Sequence, residues 1–182
     1  MTRPLDADPK KLAERVKNCD APTVRKYWDH PMILAINYGF SSGQPDRYGT
    51  AGCHPDRDEP PRHVNEPPEG ISVTYFRSAL ENAGDRYSSD WHRAAQAPIH
   101  ENIHVDDFVR FNSCAPWETV EGINALRQAG YTERDFNAAG FEKWTRARAN
   151  KEYFDTFGVR APEDPQYRVA DHNKPLPCLF DQ

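Results

Sequence analysis

Very little in this chain can build a large core, and several kinds of chemistry lack their usual residues. Only 37% of the 182 residues are apolar, and the mean hydropathy is strongly negative. The expectation is one domain, or one and a half, around a modest core. No run approaches membrane-spanning length, and the opening Met1-Thr2-Arg3-Pro4-Leu5-Asp6 has no apolar signal stretch, which predicts neither insertion nor secretion. Lys and Arg are nowhere clustered, and the formal charge is −5. That excludes a nucleic-acid binder working by phosphate neutralisation and leaves protein or small-molecule partners. Cys19, Cys53, Cys114 and Cys178 include no Cys-x-x-Cys pair. Their scatter suggests neither a zinc ribbon nor a disulfide framework and predicts a reduced, cytoplasmic setting. A glycine-rich phosphate loop, a Gly-x-Ser-x-Gly elbow and a paired-carboxylate signature are also missing.

What the chain does have is an unusual stretch from Ser41 to Gly70, with six prolines, four glycines and no apolar residue larger than Val64 apart from Tyr48. Such a segment cannot form its own core, and long irregular loops are usually functional or disordered. It is expected to lie as an extended arm on a partner, or else as a surface loop against the chain's own helices. Four stretches follow: an N-terminal helical segment over 1–37, the arm over 38–70, a helical domain over 71–157 and a second Pro-rich arm over 158–182. The fold class expected is mainly α, a small helical domain with long irregular arms that wrap a partner subunit.

Within that frame, Asp8 and Pro9 start a helix carrying Leu12 and Val16, and Asp20 and Pro22 start another ahead of Val24, Tyr27 and Trp28. Met32 to Ile36 is a short apolar run, strand or helix end, that periodicity does not decide. Val73, Phe76, Leu80 and Ala83 recur at helical spacing and predict a helix over 71–84, closed by Gly84. A helix from Ser88 or Ser89 carries Trp91, His92 and Arg93 and is expected to stop or bend near Pro98. Residues 99–113 are open between loop, strand and short helix. Two further helices are expected from Pro116 to Ala129, closed by Gly130, and from Thr132 to about Phe154. The pattern around Ala79 to Trp91 faintly echoes that around Ala125 to Phe136, a shared stop-and-restart chemistry.

His100-Glu101-Asn102-Ile103-His104 matches His-Glu-x-x-His. In that pattern two histidines one helical turn apart bind zinc and the glutamate acts as general base. Against a site stand Pro98 just ahead and no evident third ligand, with Asp107 and Arg110 where a Gly-x-x-His extension would fall. The competing reading is a polar loop whose histidines are solvated or pair with Asp106 and Asp107. His54 and His63, near Cys53, Asp56 and Asp58, are read as solvated or interface histidines.

The order of features also resembles the N-terminal part of the nitrile hydratase β subunit and the stand-alone β subunit of thiocyanate hydrolase. The resemblance runs from Tyr38-Gly39-Phe40 through Arg47-Tyr48-Gly49 to Asp58-Glu59-Pro60-Pro61-Arg62-His63, similar to the family's Glu-Pro-x-x-His stretch. It continues through the expected 71–84 helix, the Asp90-Trp91-His92-Arg93 step, Asn112-Ser113-Cys114-Ala115-Pro116-Trp117, and the turn Gly130-Tyr131-Thr132-Glu133. Cys114 and Ala115 replace the family's tyrosine pair, and the small β-barrel of nitrile hydratase has no room here. The resemblance implies a non-catalytic subunit that completes the active site of a metal-bearing α/γ-type subunit, with the barrel on a separate chain. Cobalt(III) or iron(III) would sit in a Cys-x-x-Cys-Ser-Cys claw on that partner, a motif this chain lacks, and activate a nitrile or thiocyanate; no cofactor is implied on this chain. Arg93 would hold the oxidised cysteine oxygens across the interface, as its planar fork suits, or else pair with Asp90 on its own helix. Arg47 and Arg62 are lesser candidates, and Tyr48, Arg62, His63, Asp90 and Trp117 would face the partner. An accessory role in maturing such a claw, a zinc hydrolase using His100, Glu101 and His104, and a structural component of another assembly are the alternatives.

Overall fold

Local sequence chemistry sets the first helix as expected. The Asp8 side chain accepts from the Lys10 N–H, Pro9 takes the first helical position, and α1 runs Pro9–Asn18 with Leu12, Ala13 and Val16 buried. The computed structural model describes residues 8–41, 43–44, 47–77, 89–174 and 178–179. Helix α2, Pro22–Tyr27, begins after Ala21 without a side-chain cap. Asp20, expected to cap it, instead has φ of 67° and pairs with Arg25 at 2.6 Å.

The mainly α expectation is overturned by a three-stranded mixed sheet, which makes this an α/β fold. Strands β1 (Ile33–Gly39), β2 (Gly49–His54) and β3 (Gly70–Phe76) lie in the order β1-β3-β2. The central β3 runs parallel to β1 and antiparallel to β2. The helix expected over 71–84 is therefore strand at its start, and residues 78–88, with Gly84 and the first copy of the echo, lie outside the described residues. Two periods compete in Gly70-Ile71-Ser72-Val73-Thr74-Tyr75-Phe76. Ile71, Val73 and Tyr75 alternate, and that period of two is the one that buries them. The stretch expected to be wholly irregular also supplies β2, whose small residues Gly49, Ala51 and Gly52 pair closely with β3.

Helix α3, Ser89–Arg110, passes through Pro98 rather than stopping there. A proline inside a helix costs about 3 kcal/mol. Burial on both sides of it outweighs that cost. Trp91, Ala94 and Ala95 before it and Ile99 and Ile103 after it share one core with Leu12, Val16, Val24, Ala149 and Tyr153. One turn on, Val105 and Phe108 pack with Ile71, Val73, Tyr75 and Cys53 from the sheet. Thus α3 is held between helices on one side and the sheet on the other.

Thr119 caps α4, Val120–Gln128, and Asn137 caps α5, Ala138–Phe157, which ends on Gly158 at φ 70°. Between them residues 133–135 form a single 3-10 turn, so α5 starts six residues later than the expected Thr132. The cysteines, expected to be reduced, are paired as Cys19–Cys178 and Cys53–Cys114. The pairing joins positions 159 and 61 residues apart, separations at which spacing carries no signal. Among the described residues no helix is long and apolar enough to cross a membrane.

Candidate metal centre

Antiparallel α3 and α5 are joined by a ladder of polar contacts. His92 Nδ1 meets the Tyr153 hydroxyl at 2.7 Å, and Gln96 Nε2 donates to Asn150 Oδ1 at 2.6 Å. At the other end, Arg148 gives a two-pronged pair of bonds to Asp107 at 2.8 and 2.7 Å. Arg148 also lies over the Trp144 ring, 3.5 Å from its centre. These contacts set the rotation and height of α5 against α3, so that Glu142 comes opposite His100 and His104.

Because α3 is helical throughout, His100 and His104 share a face one turn apart. Glu142 Oε1 lies 3.0 Å from His100 Nε2, and its Oε2 lies 3.0 Å from His104 Nε2. The two imidazole nitrogens are 3.2 Å apart. Three donor atoms thus converge. Zinc bonds of about 2.0–2.2 Å in tetrahedral geometry put neighbouring ligand atoms about 3.3 Å apart. The two imidazole nitrogens stand at about that separation, each has a Glu142 oxygen at a similar distance, and all three side chains are partly screened from solvent.

The electrostatics describe a proton where a cation would go. Burial opposes ionisation of Glu142, but the hydrogen bonds and charges of His100 and His104 outweigh it and hold the carboxyl far below its usual range. Burial likewise opposes the charged form of His100. The hydrogen bond that His100 donates to Glu142 and the charges of Glu101, Glu142 and Glu163 prevail, so its pKa is raised. A site that favours positive charge on His100 beside an ionised Glu142 suits a divalent ion, which displaces that proton.

The triad opens on a cavity of about 590 Å³, within the range of small-molecule sites. Glu101 lines it and is 7% exposed. The Glu101 side chain lies against Gly49 of β2, where an added Cβ would come 3.0 Å from its Cγ. Its charge adds to the burial that raises the Tyr75 phenol far above its ordinary range. The cavity therefore brings together a carboxylate and a three-ligand cluster, the parts of metal-assisted water activation.

Of the residues singled out in the sequence, His100, Glu101, His104, Arg93, Tyr48, His63 and Trp117 all line this cavity, as does Arg47. Arg62 does not; it is exposed and lies 3.7 Å from both Glu59 and Glu66. The side chain of Asp90 lies outside the described residues. The polar-loop reading of the histidines is overturned, since Asp106 bonds Tyr27 and Lys26 and Asp107 bonds Arg148. His54 is half-buried, its ring bonding the Glu59 carbonyl at 2.6 Å and Ser72 Oγ at 3.0 Å. Sequence reasoning missed Glu142, 38 residues beyond His104. The one signal was a helix carrying an acid near its start, too common to single out.

Compared with family models, curated proteins and solved structures, the chain matches none.

Proposed function

We propose that the chain is a zinc-dependent hydrolase of the His-Glu-x-x-His type. The observation that carries this reading is the placement of both Glu142 carboxylate oxygens 3.0 Å from the two motif histidines. His100, His104 and Glu142 hold the ion, which supplies Lewis acidity and lowers the pKa of a bound water toward about 7. Glu101 accepts the proton of the attacking water and passes it to the leaving group. Tyr48, His63 and Trp117 shape the substrate side of the cavity. Pairing of all four cysteines favours an oxidising compartment over the cytoplasm expected from their spacing.

The test is elemental analysis and hydrolysis of activated esters and amides by the zinc-loaded chain. One zinc per chain is expected in the native protein and in Glu101→Gln, with the variant slower by roughly 10²- to 10⁴-fold. Glu142→Ala is expected to lose the ion. A native chain that takes up no stoichiometric zinc, or a Glu101→Gln variant of full activity, overturns the reading.

A second reading takes support from Arg93, Tyr48, His63 and Trp117 lining one cavity. It makes the chain a subunit completing a cobalt(III) or iron(III) centre on another chain of the nitrile hydratase or thiocyanate hydrolase type. Native mass spectrometry of the protein from its source tests it. Co-purification with a claw-bearing chain supports it, and a zinc-bearing monomer removes it.

A further inference from the structure

Strand β2 is an edge strand, and the edge it presents runs along the metal-centre cavity. Its pairing with β3 fixes which backbone groups are used. The Phe76 N–H donates to the Tyr48 carbonyl at 3.0 Å, so Tyr48, and by alternation Thr50 and Gly52, turn their polar groups toward β3. Gly49, Ala51 and Cys53 turn theirs the other way. The Cys53 carbonyl accepts from the Arg62 N–H at 2.9 Å, and Pro61 packs against Gly52, so that end of the edge is closed by the chain itself. Gly49 and Ala51 have no such cover among the described residues, and both line the cavity with His100, Glu101, His104 and Glu142.

Two outward residues separated by one inward residue present a donor and an acceptor each, about 6.8 Å apart. That is the spacing of an extended polypeptide backbone adding as a further strand. Sugars, nucleotides and acyl chains do not repeat donor and acceptor at that interval. Gly49 and Ala51 also carry no long side chain that would hold a second backbone away from the edge.

Building on the hydrolase reading, we infer that the substrate is a polypeptide in extended form, docked on the Gly49–Ala51 edge of β2 with one of its peptide bonds beside the His100–His104–Glu142 cluster. The dock is short. It offers two hydrogen-bonding residues and stops at Cys53, where Pro60, Pro61 and Arg62 block further pairing. Hydrolysis adds the hydroxyl of one water to the carbonyl carbon and its proton to the departing nitrogen, so no oxidant or further reactant is needed.

The experiment uses the full chain with its disulfides intact and one measured zinc. A library of unstructured decapeptides is incubated with it, and the cut sites are mapped by mass spectrometry. The best peptide is then remade with single N-methyl groups at each position. Cleavage is expected to fall roughly 3- to 10-fold at methylated positions whose N–H faces β2, and to be little changed at the residues between. Ala51→Pro is expected to reduce peptide cleavage while retaining zinc. If Ala51→Pro fails to fold, the N-methyl series still decides. Sensitivity without alternation overturns the docking mode. Zinc binding and ester hydrolysis with no peptide cleaved overturns the substrate class while leaving the hydrolase reading in place. Absence of zinc from the native chain overturns the hydrolase reading itself, and this inference with it.

Discussion

At the scale of single residues, the two facing groups Glu142 and His100 have opposite pH behaviour. The raised folded pKa of His100 means its charged form contributes stability fully below its ordinary value of about 6.5, and this is lost as pH rises through the folded value. The depressed pKa of Glu142 means its charge contributes above the ordinary carboxyl value near 4.3, and this is lost as pH falls through the folded value. In the metal-free chain the Glu142–His100 pair therefore contributes most between about pH 4.5 and 6.5. Zinc needs neutral imidazoles, so the rise in melting midpoint on adding zinc is expected to grow from pH 5 to 8. Melting curves with and without zinc across that range check it, and a zinc effect that shrinks toward pH 8 would contradict it. A second residue-scale prediction concerns Asp107, which is 2% exposed and neutralised by Arg148. Arg148→Met leaves that carboxylate buried and unpaired, at an expected cost of about 3 kcal/mol by denaturant unfolding. Loss of the Trp144 stacking contributes to the same figure.

At the scale of elements, the start of α5 decides where Glu142 stands. Gly140 meets the preceding 3-10 turn so closely that an added Cβ would lie 1.6 Å from the Asp135 carbonyl oxygen. Gly140→Ala is expected to push the two segments apart and destabilise the fold by at least about 2 kcal/mol. It should also weaken zinc binding, because Glu142 sits two residues on. Calorimetry of folding and of zinc binding on the same sample checks both effects. Lost stability with unchanged zinc affinity would show that the polar ladder between α3 and α5 sets the helix position without the Gly140 contact. The elements also show where sequence patterns are readable. Capping is local chemistry, so Asp8 with Pro9, and Gly130 after α4, mark true helix ends. Pro98 misleads, because its helical cost is local while the burial of Trp91, Ile99 and Ile103 that offsets it comes from other elements. In β3, helical and alternating spacings share Val73, and pairing with β1 and β2 selects the alternation.

At the scale of the whole molecule, the Cys53–Cys114 disulfide braces the regions that hold the cavity. Cys53 follows the β2 residues that line it, and Cys114 follows the helix carrying both histidines and precedes Pro116 and Trp117. Replacing Cys53 and Cys114 together with alanine is expected to cost about 2–4 kcal/mol, which lowers the melting midpoint of a chain this size by roughly 6–12 °C. Thermal melts of this variant, compared with the native chain, check it. A variant melting within a degree of the native chain would mean that core packing alone holds β2 to the end of α3.

Residues close in the chain determined the caps, the glycine stops and the one-turn spacing of His100 and His104, because a helix brings i and i+4 together wherever it forms. Glu101 entered the same motif for the same reason. Tertiary structure alone decided the third member of the His100–His104 cluster, the cysteine partners and the sheet. Each of these joins positions tens of residues apart, and their meeting depends on how α5, β2 and the C-terminal segment pack around α3. The proposed function follows the same division. Sequence offered two histidines and a glutamate that a polar loop could equally have carried, and the packing of α5 onto α3 is what sets a second carboxylate 3.0 Å from both rings.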